Sequence, residues 1–245
     1  MKHKLPDAVR EYLAAYKYKI ELHAHTYPAS GCSRLSPSEL IAALKKENYD
    51  AVVITNHLFY DHGEYRKSEN PIETYLKDFY EAKKEGEKQG IKVLLGSEFR
   101  FLENENDYLV FGVDKEFLEK TLHRADLTLK SFYEEFHDAD DLLIIQAHPR
   151  RKNGVIMSME YLDGLEIMNM HPGHNSLQGI TAKYAAENNV PIVIAGTDLH
   201  HKGHEGVAAI KTRILPENEK ELIEILRSGD FIFDIGGYPM LPYTL

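Results

Sequence analysis

The chain of 245 residues contains no tryptophan, a single cysteine and no long hydrophobic run. One cysteine excludes an internal disulfide, so nothing in the composition calls for an oxidising compartment. The longest uncharged apolar runs, residues 142–147 and 190–196, are far shorter than the roughly 20 residues of a membrane-spanning helix. The first seventeen residues are also too polar for the apolar segment of a secretory signal. We therefore expect a cytoplasmic protein with no membrane partner.

The chain also lacks a cluster of basic residues. Its 29 Lys and Arg residues stand against 39 Asp and Glu residues, for a formal net charge of -10. Nucleic acids and anionic membranes attract basic surfaces, so this balance argues against nucleic acid as a partner and favours a small substrate. The oligomeric state is left open by the composition.

Short β-branched runs alternate with stretches of helical periodicity along most of the sequence. This alternation is typical of repeated βα units around a parallel sheet or barrel, and the length suits a single α/β domain over residues 1–245. One helix start is explicit, since Ser36 precedes Pro37 and Glu39 follows three residues after the serine, as in a capping box. Seven strands are predicted, near residues 19–22, 51–55, 92–96, 108–113, 142–147, 165–168 and 192–195, with residues 231–235 as an eighth or an edge strand.

Side chains that can bind metal lie at or just after the ends of five predicted strands. They are His23, His25, His57, Glu98, His148, Asp198 and His200. In a parallel α/β barrel the carboxyl ends of the strands converge on one face, so these side chains would meet there. Residues two apart in an extended chain point to the same side. A mixture of imidazole and carboxylate suits zinc, manganese or iron rather than magnesium or calcium.

These motifs, in this order, resemble those of the PHP (polymerase and histidinol phosphatase) superfamily of metal-dependent phosphoesterases. The motifs are E-L-H-A-H-T at 21–26, I-T-N-H at 54–57, G-S-E at 96–98, N-D-Y-L-V-F-G at 106–112, A-H-P at 147–149 and G-T-D-L-H at 196–200. The resemblance implies a distorted seven-stranded β/α (TIM-like) barrel with two or three divalent ions at its strand ends. Its core motifs span residues 18–206, and the helix and strand at 217–235 would complete the barrel.

The resemblance also implies a distribution of ligands. The first ion would be bound by His23, His25, Glu98 and Asp198; Glu98 would bridge to a second ion held by His148; His57 and His200 would hold a third. Asp107 stands where the family commonly has a histidine, and we expect it to be an oxygen ligand. Where many members have an aspartate or histidine after the first motif, this chain reads Ser-Gly-Cys-Ser at residues 30–33. Cys32 is then either a thiolate ligand of the third ion or a small packing residue.

Two metal ions bridged by Glu98 would activate a shared water as hydroxide, which attacks the phosphorus without a nucleophilic side chain. The catalytic residues expected from the sequence are Glu98, Asp198, Arg150 and His174. Arg150, or Arg34 in the first loop, could grip the phosphate as a guanidinium fork. The candidates to protonate the leaving oxygen or to contact the substrate are His171, His174, His201 and His204, whereas Glu166 and Asn169 would orient the ligands.

The leading hypothesis is a phosphoesterase that acts on a small phosphorylated metabolite such as a nucleotide or a sugar phosphate. Histidinol phosphate is a sub-case that no residue identifies. An amidohydrolase-type metallohydrolase shares the H-x-H start and the strand-end aspartate, although its bridging ligand is often a modified lysine rather than a glutamate such as Glu98. A non-catalytic regulatory metal-binding module is the third hypothesis, favoured if Asp107 and Cys32 leave the cluster incomplete.

Overall fold

The computed structural model describes residues 5–59, 64–138, 141–152 and 154–243. Within them the chain forms seven α-helices and eleven strands. The helices are α1 (Asp7–Ala14), α2 (Pro37–Lys46), α3 (Pro71–Gln89), α4 (Lys115–Thr121), α5 (Leu129–Phe136), α6 (Gln178–Glu187) and α7 (Glu219–Ser228). The strands are β1 (Tyr18–Ala24), β2 (Ala51–Ile54), β3 (His57–Phe59), β4 (Lys92–Arg100), β5 (Tyr108–Phe111), β6 (Leu143–Gln146), β7 (Gly164–Asn169), β8 (Ile192–Gly196), β9 (Ala208–Thr212), β10 (Phe231–Ile235) and β11 (Tyr238–Met240).

The strands form one curled sheet in the order β11-β10-β9-β1-β2-β4-β5-β6-β7-β8, and β3 pairs with β4 beside this path. The predicted mixed α/β class is confirmed, but the sheet is not a regular parallel seven-stranded barrel. β5 runs antiparallel to both β4 and β6, and β9, β10 and β11 add antiparallel strands beside β1. Only residues 101–107 connect β4 to β5, which is too short for the crossover that a parallel strand needs.

The curl brings the two ends of the predicted strand series together. Ala24, at the end of β1, forms a parallel bridge with Leu199, just beyond β8. The Leu199 N–H donates to the His23 carbonyl at 3.0 Å, and the His25 N–H donates to the Leu199 carbonyl at 3.0 Å. These backbone bonds hold residues 23–25 beside residues 198–200, which lie about 175 positions later in the sequence.

Several predicted boundaries differ from the structure. β1 and β4 continue past their predicted ends, through the polar residues His23 and Glu98. Hydropathy ended these strands where buried polar residues begin, but the backbone continues to pair. The run at residues 231–235 is a strand, with β9 and β11 on either side of it rather than at the edge. The capping box is present, since the Ser36 N–H donates to the Glu39 carboxylate at 3.0 Å.

Three helices, α1, α4 and α5, were not predicted from the sequence. α1 buries no residue, while α4 and α5 bury two each. These helices are only seven or eight residues long, about two turns each, so periodicity has few repeats to detect. No helix in the described ranges is long and apolar enough to cross a bilayer.

A buried carboxylate, Glu21, lies in β1 and joins the two ends of the curl. Its Oε1 accepts the N–H groups of His23 at 3.0 Å and Thr197 at 2.9 Å. Burial raises the pKa of Glu21 from 4.5 to about 7, although the hydrogen bonds from Thr197 and His23 oppose the shift. The folded chain therefore holds a proton on Glu21 at pH values where the unfolded chain has lost it.

We expect Glu21→Gln to remove a pH-dependent loss of stability. Between pH 4.5 and 7 the unfolded state ionises at Glu21 and the folded state does not, so the free energy of unfolding falls as pH rises across this window. The wild type should lose about 3 kcal/mol more than Glu21→Gln between pH 4.5 and 7.5 in urea unfolding of metal-free protein. Parallel pH profiles for the two proteins would contradict the assignment.

Candidate metal centre

Eight side chains meet at one end of the curled sheet, and all of them were candidate ligands in the sequence. His23 lies in β1 and His25 follows it, His57 begins β3, Glu98 lies in β4, Asp107 precedes β5, His148 follows β6, and Asp198 and His200 follow β8. Asp107 lies at the amino-terminal end of β5, because this strand runs antiparallel to its neighbours and so begins where they end. The pairing of β3 with β4 places His57 directly opposite Glu98.

Glu98 lies at the middle of this cluster and faces four imidazoles. Its Oε1 is 3.1 Å from His148 Nε2 and 3.4 Å from His23 Nε2. Its Oε2 is 2.7 Å from His57 Nδ1 and 3.4 Å from His25 Nε2. Each carboxylate oxygen thus faces a different pair of rings, and both oxygens could accept a cation.

The orientation of His23 is set by a buried carboxylate behind it. His23 Nδ1 is 3.0 Å from Glu166 Oε1, and because a carboxylate accepts, the proton is on Nδ1. Asn169 donates to the other oxygen of Glu166 at 2.9 Å. His23 Nε2 is buried, has no hydrogen-bond partner among the described residues and points toward Glu98. A carboxylate that orients a histidine in this way is the usual support of a metal ligand.

Gly196 makes room for this arrangement. A Cβ at that position would lie 2.7 Å from both Glu166 Oε1 and His23 Cβ. Any larger residue would push the supporting carboxylate or the ring out of place.

His25 also carries its proton on Nδ1, but its support is a hydroxyl rather than a carboxylate. Its Nδ1 is 3.3 Å from Ser30 Oγ, and the Ser30 hydroxyl donates its only proton to Asn56 Oδ1 at 2.9 Å. Ser30 Oγ must therefore accept from His25 Nδ1–H, which leaves the lone pair of a neutral His25 on Nε2. That Nε2 is also buried without a hydrogen-bond partner among the described residues.

His200 is oriented by the backbone. Its Nδ1 is 2.9 Å from the Asp198 carbonyl oxygen, which can only accept, so Nδ1 carries a proton. His200 Nε2 is 3.1 Å from Cys32 Sγ. In three histidines, then, Nδ1 is occupied by a support and Nε2 is the atom that can bind a cation.

The two oxygens of Asp198 have different partners, because one faces two histidines and the other pairs with an arginine. Oδ1 is 3.3 Å from His25 Nε2 and 3.4 Å from His23 Nε2, while Oδ2 is 2.7 Å from Arg151 Nη2. Its φ of 57 and the φ of 27 at His148 lie in the left-handed region that L-residues rarely adopt. Strain of this kind is typical of functional positions, where tertiary structure holds the backbone.

Asp107 is held by Arg100. The guanidinium donates through Nε and Nη2 to the two carboxylate oxygens, each at 2.6 Å. Asp107 Oδ2 is also 3.7 Å from His148 Nε2, so the aspartate borders the cluster. Asp107 therefore lies where it could supply an oxygen ligand, and both of its oxygens also accept from Arg100.

Protons and metal ions would compete for these atoms. Burial lowers the pKa of His57, but the Glu98 carboxylate outweighs it and raises that pKa to about 10. Burial likewise opposes the shift at His200, where Asp198 and Cys32 raise the pKa to about 9. Burial raises the pKa of Cys32, yet the hydrogen bonds of His200 and His57 lower it from 9.0 to about 6.

The carboxylates respond in the opposite direction. Burial raises the pKa of Glu98 and of Asp198, but the nearby imidazoles, His57 and His23 at Glu98 and His23 at Asp198, hold both values well below their usual range. Burial, with the charges of His200 and His57, lowers the pKa of His25. The centre therefore keeps its carboxylates ionised and ready to neutralise cations.

A cavity of about 430 Å³ opens over the cluster. Its walls are Cys32, His57, Arg100, Glu105, Asp107, His148, Arg151, Lys152, Gly154, His171, His174, Asp198, His200 and His201. Among the expected substrate residues, His171, His174 and His201 line it, whereas Arg34, Arg150 and His204 are not among its lining residues. Two arginines, Arg100 and Arg151, lie on the wall, and Arg151 is next to the predicted Arg150.

Sequence reasoning missed Arg100, Arg151 and Ser30. Arg150 and Arg151 are adjacent, and the strained turn at His148 decides which of them faces the cavity. The run Ser-Gly-Cys-Ser was noted for Cys32, but the role of Ser30 depends on hydrogen bonds with a distant Asn56. Arg100 carried no motif signal at all.

The residues present fit divalent ions. Four groups of three donors have their ligand atoms within 4.8 Å of one another: His25, His57 and His200; His23, His148 and Asp198; His23, His25 and Glu98; and Glu98, Asp107 and His148. Buried nitrogen lone pairs without hydrogen-bond partners are costly unless a cation binds them. Imidazole with carboxylate is the donor set of zinc, manganese or iron.

The family model described as the PHP domain matches residues 21–235. Two solved structures share the fold. The first is a two-domain protein from Bacteroides vulgatus ATCC 8482 that contains a predicted PHP-like metal-dependent phosphoesterase. It aligns with a TM-score of 0.59 at 12% identity, and the alignment covers 88% of this chain and 64% of that chain. PsfC from Pseudomonas syringae PB-5123 aligns with a TM-score of 0.60 at 13% identity over 85% of this chain and 87% of that one. No curated protein sequence matches this chain.

We expect metal binding to release protons and to strengthen as pH rises from about 6 to 9. His57 and His200, with pKa values of about 10 and 9, hold protons in the metal-free chain, and a cation must displace them. Calorimetric zinc titrations at pH 7, in buffers of different ionisation enthalpy, measure the protons released. The exposed His123→Ala variant is the matched control. Heats that do not depend on the buffer would contradict this prediction.

Proposed function

The chain belongs to the PHP domain family, and from that premise we propose that it is a metal-dependent phosphoesterase that hydrolyses a small phosphorylated metabolite. The observation that carries the proposal is the common orientation of three histidines, His23, His25 and His200, each with Nδ1 bound to a support. Nε2 of His23 and of His25 faces the carboxylates of Glu98 and Asp198, and Nε2 of His200 faces Cys32 Sγ.

The donor sets divide into sites for two or three divalent ions, which we propose to be zinc, manganese or iron. His23, His25, Glu98 and Asp198 would hold the first, Glu98, His148 and Asp107 the second, and His57 and His200 the third. When bound, such ions supply an activated water and neutralise charge on phosphoryl oxygens. The protein holds the ligands at fixed positions and keeps Glu98 and Asp198 ionised.

The charge of the cavity favours a phosphate ester over an amide. Arg100, Arg151 and Lys152 line the wall with one acid, Glu105, outside the ligand cluster. The chain as a whole has a net charge of -10, so this cationic wall is a local feature. A cavity of about 430 Å³ is within the range of small-molecule sites.

Two histidines on the wall have separable roles. Gly173 N–H donates to His171 Nδ1 at 3.0 Å, so the proton of a neutral His171 is on Nε2. Burial lowers the pKa of His171 to about 4, which keeps this ring neutral and able to donate one hydrogen bond to substrate. His174, whose ring centroid is 4.5 Å from that of His171, is our candidate to protonate the leaving oxygen.

We expect Glu98→Gln and Asp198→Asn to reduce phosphate release by at least about a hundredfold, because each removes a charge that must neutralise cations. Phosphate release from a panel of phosphate monoesters and diesters gives the rate, and elemental analysis of protein purified without a histidine tag gives the metal content. The wild type should contain about two to three ions per chain. His123→Ala is the control.

Near-normal hydrolysis in either variant would contradict the mechanism. Ammonia release from amide substrates, without phosphate release from any ester, would instead support an amidohydrolase. A chain that binds metal and hydrolyses neither class would support the regulatory module.

Arg151→Met and Arg150→Met form a matched pair that tests the position of the phosphate-binding arginine. Loss of a charge-assisted hydrogen bond costs about 1.5–3 kcal/mol, so Arg151→Met should raise KM by roughly 10- to 100-fold. Arg150→Met should change it little, because Arg150 does not line the cavity. A larger effect at Arg150 than at Arg151 in steady-state kinetics would favour the assignment made from the sequence.

A further inference from the structure

One donor in the cavity wall is not accounted for by the clusters of histidine and carboxylate. Cys32 is the only cysteine in the chain, and it is exposed at the wall rather than packed in the core. Its Sγ is 3.1 Å from His200 Nε2, the ring nitrogen left available when Nδ1 donates to a carbonyl. A small packing residue would lie among apolar side chains, so this exposure argues against that alternative.

The histidines beside Cys32 already point to a cation. The ligand nitrogens of His25, His57 and His200 lie within 4.8 Å of one another. His25 Nε2 is fully buried and has no hydrogen-bond partner among the described residues. Its ring is 4.2 Å from that of His200 and 4.4 Å from that of His57, between centroids. These three imidazoles therefore form one candidate group of nitrogen donors for a cation.

The loop that carries Cys32 is tied to both ligand segments. Ser33 Oγ is 3.0 Å from the His25 carbonyl and 3.3 Å from the His200 carbonyl. The Arg34 N–H donates to the His200 carbonyl at 2.9 Å. These bonds hold the backbone on the C-terminal side of Cys32 beside His25 and His200, so the loop position that puts Cys32 Sγ against His200 is fixed.

We propose that Cys32 is a thiolate ligand of the third metal ion, which makes this site a histidine–thiolate site selective for zinc and similar borderline-soft ions. This inference rests on the proposed metal-dependent function. On metal binding the sulfur loses its proton to solvent and bonds to the ion, with no change of oxidation state. Thiolate with imidazole selects zinc over manganese or magnesium, which prefer oxygen.

Cobalt(II) substitution tests the proposal directly, because a cobalt–thiolate bond gives an intense near-ultraviolet charge-transfer band and imidazole or carboxylate ligands do not. Cys32 is the only possible source of such a band in this chain. Titration of the metal-free full chain with cobalt should produce the band. Cys32→Ser should abolish it, and Cys32→Asp should abolish the band while restoring binding of the third ion through a carboxylate.

The number and affinity of bound ions give a second readout. Cys32→Ser should bind about one ion per chain fewer at limiting zinc, or bind that ion at least about tenfold more weakly, while the other ions stay bound. In the wild type, alkylation of the thiol by iodoacetamide should slow when zinc is added and recover when a chelator is added. This measurement needs no variant, so a folding defect in Cys32→Ser would not obscure the result.

The outcomes separate the two proposals. Cobalt bound without a charge-transfer band, or alkylation at the same rate with and without zinc, would overturn the role of Cys32 and leave the phosphoesterase proposal intact. A wild-type chain that binds no cobalt or zinc would overturn both. A band that survives in Cys32→Ser would also overturn the inference.

Discussion

The buried carboxylate of Glu98 is the constraint on which the rest of the centre depends. An ionised carboxylate out of water costs several kcal/mol unless charges or hydrogen bonds compensate it. Here four imidazoles from three different parts of the chain surround its two oxygens. The sheet also curls until the end of β1 meets the segment after β8, which places Asp198 and His200 beside His23 and His25. The curl of the sheet therefore completes the ligand cluster around Glu98.

A second layer of residues gives the histidines their direction. An imidazole has two nitrogens, and only the one without a proton can bind a cation. Glu166, Ser30 and the Asp198 carbonyl each accept from a different Nδ1–H, and so leave Nε2 available in all three cases. A carboxylate, a hydroxyl and a backbone oxygen achieve the same result. The requirement is for an acceptor at the right place rather than for a particular side chain.

The cavity above the ligands has a different electrostatic character from the chain as a whole. The chain has a net charge of -10, whereas three cations, Arg100, Arg151 and Lys152, line the cavity above the ligand candidates. Both arginines also pair with carboxylates of the centre, Asp107 and Asp198. Each arginine thus pairs with a carboxylate of the cluster and also lines the cavity.

The sequence by itself determined the α/β class, the positions of the main strands and the eight clustered ligand candidates, because strand hydropathy and motif spacing are local signals. Only the tertiary structure decided that β5 runs antiparallel, that Arg151 rather than Arg150 lines the cavity, and that Ser30 orients His25. Cys32 shows the same division, since the sequence left open whether it packs or binds metal, and its contact with His200 depends on residues 168 positions apart. The direction of a side chain follows from backbone turns and from distant hydrogen-bond partners, and neither is encoded in a local pattern.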